Sequence, residues 1–231
     1  MTRVVLFDID GTLLASGGVG RRAMEGALLA HFGTTGPSGY RYDGKTDKQI
    51  VRESMRMAGF TDADIDGRME SLLAEYLVRL EQTVAVVDHG VRMHAGIPAL
   101  IDALDARDDV LLGLLTGNIA PGASLKLRAA GLAPERFVVG AFGSDHELRP
   151  ELPAIAQRRA SERLGYGVAG EMVVIVGDTP ADVECGRGIG ARAVAVATGH
   201  FSTSDLAAFA PHAVFDDFRD LDAALKAICD A

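Results

Sequence analysis

Asp8-Ile9-Asp10-Gly11-Thr12 follow directly on the apolar run Val4-Val5-Leu6-Phe7. A short continuous apolar run reads as a strand of a parallel sheet buried on both faces, and Gly11 lets the chain turn away at its end. Two carboxylates therefore stand at a strand's carboxyl end. Side chains alternate along a strand, so Asp8 and Asp10 are expected roughly 7 Å apart around a common point. Like charges so placed repel unless a cation, a proton or a reacting electrophile lies between them. An isolated Asp-x-Asp is ordinarily a pair of exposed turn carboxylates. Here the pair caps a buried strand, and matching motifs follow.

The second motif is Leu114-Leu115-Thr116-Gly117-Asn118. A hydroxyl at a strand end, followed by Gly and a helix start, offers an anion the Thr116 hydroxyl, backbone N–H groups and the helix dipole. The third ingredient is a fixed cation, for which two residues compete. Lys126 lies on the following helix, whose side chains lean back towards the N-terminus, and Arg149 precedes Pro150 where the next helix begins. The fourth motif, Val173-Val174-Ile175-Val176-Gly177-Asp178-Thr179-Pro180-Ala181-Asp182, ends another apolar strand in Gly and a carboxylate, with a second carboxylate four residues on. Hard oxygen ligands gathered at one sheet edge suit Mg²⁺, which keeps waters and takes further oxygens from a phosphate. Asp182 is also the kind of residue a helix N-terminus favours for its charge alone.

The elements that must position these motifs alternate. Strands are expected at Val110 to Leu115, Phe137 to Ala141, Met172 to Val176 and Ala193 to Ala197, with a short last one at Val214-Phe215. Helices are expected near 97–107, 121–131, 151–164, 181–189 and 219–229. Strand and helix in repetition predict an α/β fold, a Rossmann-like, mostly parallel sheet covered by helices on both faces, which binds ligands at the carboxyl ends of its strands. Residues 15–90 break the rhythm. They contain no convincing strand and are expected to form helices near 19–32, 46–58 and 62–83, an all-helical cap inserted into a core of residues 1–14 and 91–231. Gly17-Gly18 and Asp88-His89-Gly90 would be the two hinges of a lid over the strand ends.

The 231 residues are enough for one large domain or for a domain with a smaller insertion, and 48% of them are hydrophobic against 24% charged. No apolar stretch approaches the ~18 residues of a membrane span. Asp8 and Asp10 interrupt the early apolar segment, so no secretory signal is visible and a cytoplasmic location is expected. Cys185 and Cys229 lack metal-ligand spacing and are expected to be reduced structural thiols. A net charge of −9 argues against a nucleic-acid partner. It also requires a bound cation to reverse the field locally if the substrate is an anion. No feature of the sequence sets an oligomeric state.

Asp8-Ile9-Asp10-Gly11-Thr12-Leu13 together with Gly177-Asp178-Thr179-Pro180-Ala181-Asp182 resembles the haloacid dehalogenase superfamily of hydrolases, in its phosphoglycolate phosphatase-like group with a helical cap after the first strand. The stretch Gly44-Lys45-Thr46-Asp47-Lys48-Gln49-Ile50 also resembles the cap of these phosphatases. The resemblance implies that Asp8 is the nucleophile and Asp10 the acid and base. It implies further that Asp8, the Asp10 backbone carbonyl and Asp178 hold Mg²⁺ with support from Asp182, and that Thr116, Gly117 and Asn118 bind the phosphoryl group. Where such enzymes usually carry Lys-Pro, this chain has Arg149-Pro150, so the phosphate cation is Arg149 or Lys126. The implied reaction is hydrolysis of a small phosphorylated metabolite through an aspartyl-phosphate. Asp10 would then need a pKa well above the ~3.9 of a free aspartate, which a neighbouring carboxylate and cap closure would supply.

A haloacid dehalogenase of the same fold needs no leaving-group acid, so Asp10 argues against it. A sugar phosphomutase would use the same two aspartates. A phospho-receiver domain shares the acidic pocket but not the helical insertion. Arg41, Lys45 and Lys48 of the cap are candidate contacts for a carboxylate or second phosphate. Ser144-Asp145-His146 has the residue types of a hydrolytic triad, but triads are spatial and not sequential. Gly186, Gly188 and Gly190 lie within or after a helix and do not fit a dinucleotide loop.

Overall fold

The structure, a computed structural model, describes residues 2–230. Its centre is β1 (Arg3–Phe7), which pairs in parallel with β4 (Val110–Thr116) on one side and β6 (Val173–Gly177) on the other. The sheet extends outward through β5 (Val139–Phe142) beyond β4, and through β7 (Arg192–Val196) and β8 (Ala213–Phe215) beyond β6. Every pairing in this six-stranded sheet is parallel.

Both faces of β1 are covered, which is why it is apolar without alternation. Val5 and Phe7 pack with α4 (Ile97–Asp105), α5 (Ala120–Ala129) and α9 (Leu221–Cys229), whereas Val4 and Leu6 pack with α6 (Leu152–Leu164) and with Cys185 of α7 (Pro180–Cys185). A short α8 (Thr203–Ala207), capped by Ser202, lies against β7 and β8. Expected and observed boundaries differ by a few residues. The helix expected over 181–189 becomes a 3₁₀ turn at Gly186–Ile189, where Gly186 is packed so closely that a Cβ would stand 2.5 Å from Ile175 Cδ1.

The insertion forms α1 (Val19–Phe32), α2 (Asp47–Met57) and α3 (Asp62–Val84). Thr46 and Thr61 cap α2 and α3 through their hydroxyls, as their positions before apolar-periodic segments predict. Tyr76 and Leu80 of α3 join the same apolar core as Ala123 and Leu127 of α5, so the cap is seated on one face of the sheet domain. A feature absent from the expectation is an antiparallel ribbon, β2 (Leu14–Ala15) with β3 (Arg92–Met93), at the stem of the insertion. Two residues per strand give too few positions for any alternation to show. Beside it Gly17 (φ 58°) and Gly90 (φ 82°) adopt left-handed conformations, and a Cβ on Gly17 would lie 2.8 Å from the Gly90 carbonyl, so the two connections touch. Among the described residues no helix is long and apolar enough to cross a membrane.

Candidate active site

The strand ends bring the sequence motifs together. Asp8 continues the β1 ladder by donating its N–H to Val176 O at 2.9 Å, and its buried carboxylate lies 3.1 Å from Arg149 Nη2. The same Nη2 pairs with Asp182 and reaches the Leu115 carbonyl at 3.3 Å. Asp182 is fixed from its other side by a capping box, accepting from Thr179 N at 3.0 Å and Thr179 Oγ1 at 2.6 Å. Asp178 accepts a hydrogen bond from Thr12 Oγ1 at 2.9 Å. It is wedged between two glycines: a Cβ on Gly11 would stand 2.3 Å from its Oδ2, and one on Gly199 only 1.8 Å. Gly11 also turns at φ 87°, so the loop needs glycine there on two counts.

Asp8, Asp178 and Asp182 form a buried group whose carboxylate oxygens lie within 4.8 Å of one another, a group that could hold a metal ion. Burial pushes Asp8 up to about 7; Arg149 pulls it down, but Asp182 and Asp10 push it up further. Asp178 is likewise raised well above the carboxylate range by burial and by Asp182 and Asp8. Burial works against the charge of Arg149, but Asp182 and Asp8 outweigh it and keep the guanidinium protonated. One guanidinium facing crowded carboxylates leaves a deficit of positive charge, and the donors are all hard oxygens, so the residues present fit a small divalent cation. Asp182 already spends one oxygen on Arg149 and the other on Thr179, which suits it to support more than to ligation.

Asp10 stands apart from that group. Its Oδ2 accepts from Asn118 Nδ2 and from Lys126 Nζ, both at 2.7 Å, while its buried Oδ1 has no hydrogen-bond partner. Burial raises its pKa, but the Lys126 ammonium and the Asn118 amide outweigh it and hold Asp10 below the ordinary carboxylate value. This corrects the expectation of a raised Asp10: its side chain faces a cation and not the other carboxylates. Asn118 also donates to Thr116 Oγ1 at 2.8 Å and accepts from Lys126 at 2.6 Å. Lys126 and Arg149, read as rivals for one role, are both buried, and each serves a different aspartate.

The cap closes over Gly117. The Asp47 N–H donates to Gly117 O, and the Asp47 carboxylate accepts the Ile119 N–H, both at 2.8 Å. Burial lifts Asp47 to about 6 against the pull of Lys126 and the Ile119 hydrogen bond. Thr46 Oγ1 donates to the Glu147 carbonyl at 2.5 Å, and Arg52 pairs with the Glu147 carboxylate. Asp47 belongs to the stretch that resembles the phosphatase cap and to the helix expected over 46–58, but nothing local in the sequence reveals its partner Ile119. The cap cations proposed as substrate contacts are engaged: Arg41 with Asp43, Lys45 with Glu53, and Lys48 with the Ser144 carbonyl. Ser144, Asp145 and His146 diverge, Asp145 pairing with Arg159 and the ring of His146 accepting from Leu148 N. Cys185 and Cys229 are free thiols.

Known proteins resemble this chain in sequence and in fold. A family model described as HAD-hydrolase-like matches residues 151–221. Phosphoglycolate phosphatase of Rhodospirillum rubrum is 29% identical over 227 residues, which cover 96% of this chain and 90% of that protein. N-acetylmuramic acid 6-phosphate phosphatase of Pseudomonas aeruginosa is 27% identical over 237 residues, covering 99% and 97%. Among solved structures, CbbY of Rhodobacter sphaeroides in complex with phosphate superposes with a TM-score of 0.69 at 22% identity, covering 96% of each chain. In its inserted helices, its parallel sheet and the stretch 151–221, the chain is similar to haloacid dehalogenase-like hydrolases.

Proposed function

We propose that the chain is a Mg²⁺-dependent phosphatase of small phosphate monoesters that works through an aspartyl-phosphate on Asp8. The reading rests on one observation: the two strand-end aspartates occupy opposite electrostatic settings, Asp8 beside Arg149 within the acidic group and Asp10 beside Lys126 outside it. Separate partners let the two carboxylates take separate roles, and a cation bound among Asp8, Asp178 and Asp182 would ionise Asp8 for attack. The phosphatase names of the two relatives support the same reaction class.

Asp8, Asp178 and the Asp10 carbonyl would hold Mg²⁺, with Asp182 in support; when bound, the ion supplies charge for the phosphoryl oxygens and lowers the cost of ionising the carboxylates. Asp8 Oδ attacks phosphorus in line. Arg149 neutralises charge growing on the phosphoryl oxygens; its buried ε N–H, which has no partner, and the Thr116–Asn118 turn offer further donors. Asp10, ionised beside Lys126 in the free site, would take up a proton when substrate adds its negative charge and displaces water, hand it to the departing oxygen and recover one from the water that cleaves the acyl phosphate. The unpartnered Oδ1 is the oxygen free for both transfers. In this reading residues 15–90 act as the cap domain of a core made of 1–14 and 91–231, and Gly17 and Gly90 carry the opening motion.

A dehalogenase would have no use for an Asp10 held separately by Lys126. A screen of phosphoglycolate, sugar phosphates and nucleoside monophosphates with Mg²⁺, combined with acid trapping of phosphate on Asp8, tests the proposal. Release of phosphate from at least one ester and its dependence on Asp8 are expected. Transfer of phosphate to a second sugar position without release would instead establish a mutase.

A further inference from the structure

Lys126 is a lysine in the interior. It is 4% exposed, and its ammonium has no acidic neighbour from the Asp8 group among its hydrogen bonds, which go to Asp10 Oδ2 at 2.7 Å and Asn118 Oδ1 at 2.6 Å. The Asn118 amide in turn bonds the same Asp10 oxygen and the Thr116 hydroxyl, so four side chains form one closed set of contacts. A buried ammonium is retained only where its donors are matched by acceptors, and here the acceptors are Asp10 and its holder.

The roof of this set comes from the cap. Gly20 lies in the first turn of α1, and a Cβ there would stand 2.8 Å from Lys126 Nζ and 3.1 Å from its Cε, with Tyr76 Oη of α3 at 3.8 Å. Glycine is unfavourable inside a helix, and at this position its missing side chain is the space the ammonium fills. The cap helices therefore close directly onto the cation that touches Asp10.

We propose that Lys126 is a positioning residue for Asp10: with Asn118 it pins Oδ2, fixes the carboxyl so that Oδ1 is the oxygen left without a hydrogen bond, and makes the setting of Asp10 one event with the seating of Gly20 and Tyr76 over it. The inference rests on the phosphatase reading above. It also divides the two candidate cations: Arg149 serves the phosphoryl side and Lys126 serves the leaving-group side.

The test compares an alkyl phosphate that the parent enzyme hydrolyses with 2,4-dinitrophenyl phosphate, whose phenolate departs without a proton, and measures inhibition by inorganic phosphate. Lys126→Met is expected to lower kcat/KM, which reports the phosphoryl-transfer step alone, by about a hundredfold on the alkyl ester and by less than about tenfold on the dinitrophenyl ester, in line with the usual contribution of a placed acid. Phosphate inhibition is expected to stay unchanged. Gly20→Ala, which keeps the lysine but crowds its ammonium, is expected to show the same selective loss and serves alone if Lys126→Met does not fold. In an Asp10→Asn background, Lys126→Met is expected to add no further loss, because two residues acting as a unit are not additive. Equal losses on both esters with weakened phosphate inhibition, or multiplied losses in the double variant, would overturn the role of Lys126. Failure of the parent enzyme to release phosphate from either ester would overturn the phosphatase reading itself.

Discussion

The amide of Asp47 hydrogen-bonds the carbonyl of Gly117 at 2.8 Å, tying the first residue of a cap helix to the middle of the turn that follows β4. The fit is close enough to exclude any side chain on that glycine, since a Cβ would stand 2.0 Å from the Lys45 carbonyl. Gly117→Ala is therefore expected to displace the cap loop and to lower kcat/KM by about a hundredfold, the effect of a ~1 Å misplacement near reacting groups. Steady-state kinetics beside thermal unfolding check this. A loss of activity no larger than the loss of folded protein would show that the contact does not set the site.

Arg149 is the only cation bonded to Asp8 and to Asp182 among the described residues. Removing one partner of a buried ion pair strands the other, so Arg149→Met is expected to destabilise the metal-free protein by about 3–5 kcal/mol. Added Mg²⁺ is expected to return part of that stability by supplying charge to the same carboxylates. Denaturant titrations with and without the ion measure both effects, and an unchanged midpoint would show that Arg149 is dispensable to the acidic group.

Stability gained from Mg²⁺ should itself depend on pH. Asp8 is raised to about 7 and Asp178 is raised in the same direction, so between the unfolded carboxylate value of ~4 and about 7 the metal-free native state holds protons that the unfolded chain has released. The contribution of these groups to metal-free stability therefore falls as pH rises through that window. Binding a cation requires the protons to leave, so the increase in Tm on adding Mg²⁺ is expected to grow from pH 5 to about 7 as Asp8 ionises. Asp8→Asn should flatten this profile, abolish turnover and leave no acid-stable trace of phosphate on the protein. A Mg²⁺ effect on Tm that ignores pH would separate the ion from these carboxylates.

Asp10→Asn should behave differently from Asp8→Asn. The Asp10 side chain is bonded to Lys126 and Asn118 and takes no part in the acidic group, so the Tm response to Mg²⁺ is expected to survive the change. Turnover of alkyl phosphates is expected to drop by about 10²- to 10⁴-fold, the range for loss of a general acid. Hydrolysis at the parent rate would remove Asp10 from the mechanism.

The sheet and its strand-end motifs were legible because each buried strand is an apolar run that stops at Gly or Asp, and the carboxyl edge of a parallel sheet gathers such stops without further information. The contacts that refine the site were not legible. Whether Lys126 or Arg149 faced the acidic group depended on the reach of two long side chains, and the answer was that they face different aspartates. Asp47 looked like an ordinary helix-start residue, since its partner Ile119 becomes a neighbour only when the cap docks. Gly199 carries no signal of its own; its role is to be absent beside Asp178. The stem ribbon and α8 are too short for periodicity to register.

The placement of β1 has a consequence for how the molecule is made. Arg3 must find Val110 and Val4 must find Val173, so during synthesis the strand that ends in Asp8 waits until chain far downstream has left the ribosome. The intervening helices meanwhile condense on one another through local contacts, which form early. Val4 to Phe7 remains a sticky, unpaired edge throughout that delay, the condition under which nascent α/β chains capture wrong partners. The pairing that brings Asp8 and Asp178 to one sheet edge is thus the one that spans the most chain before it can form.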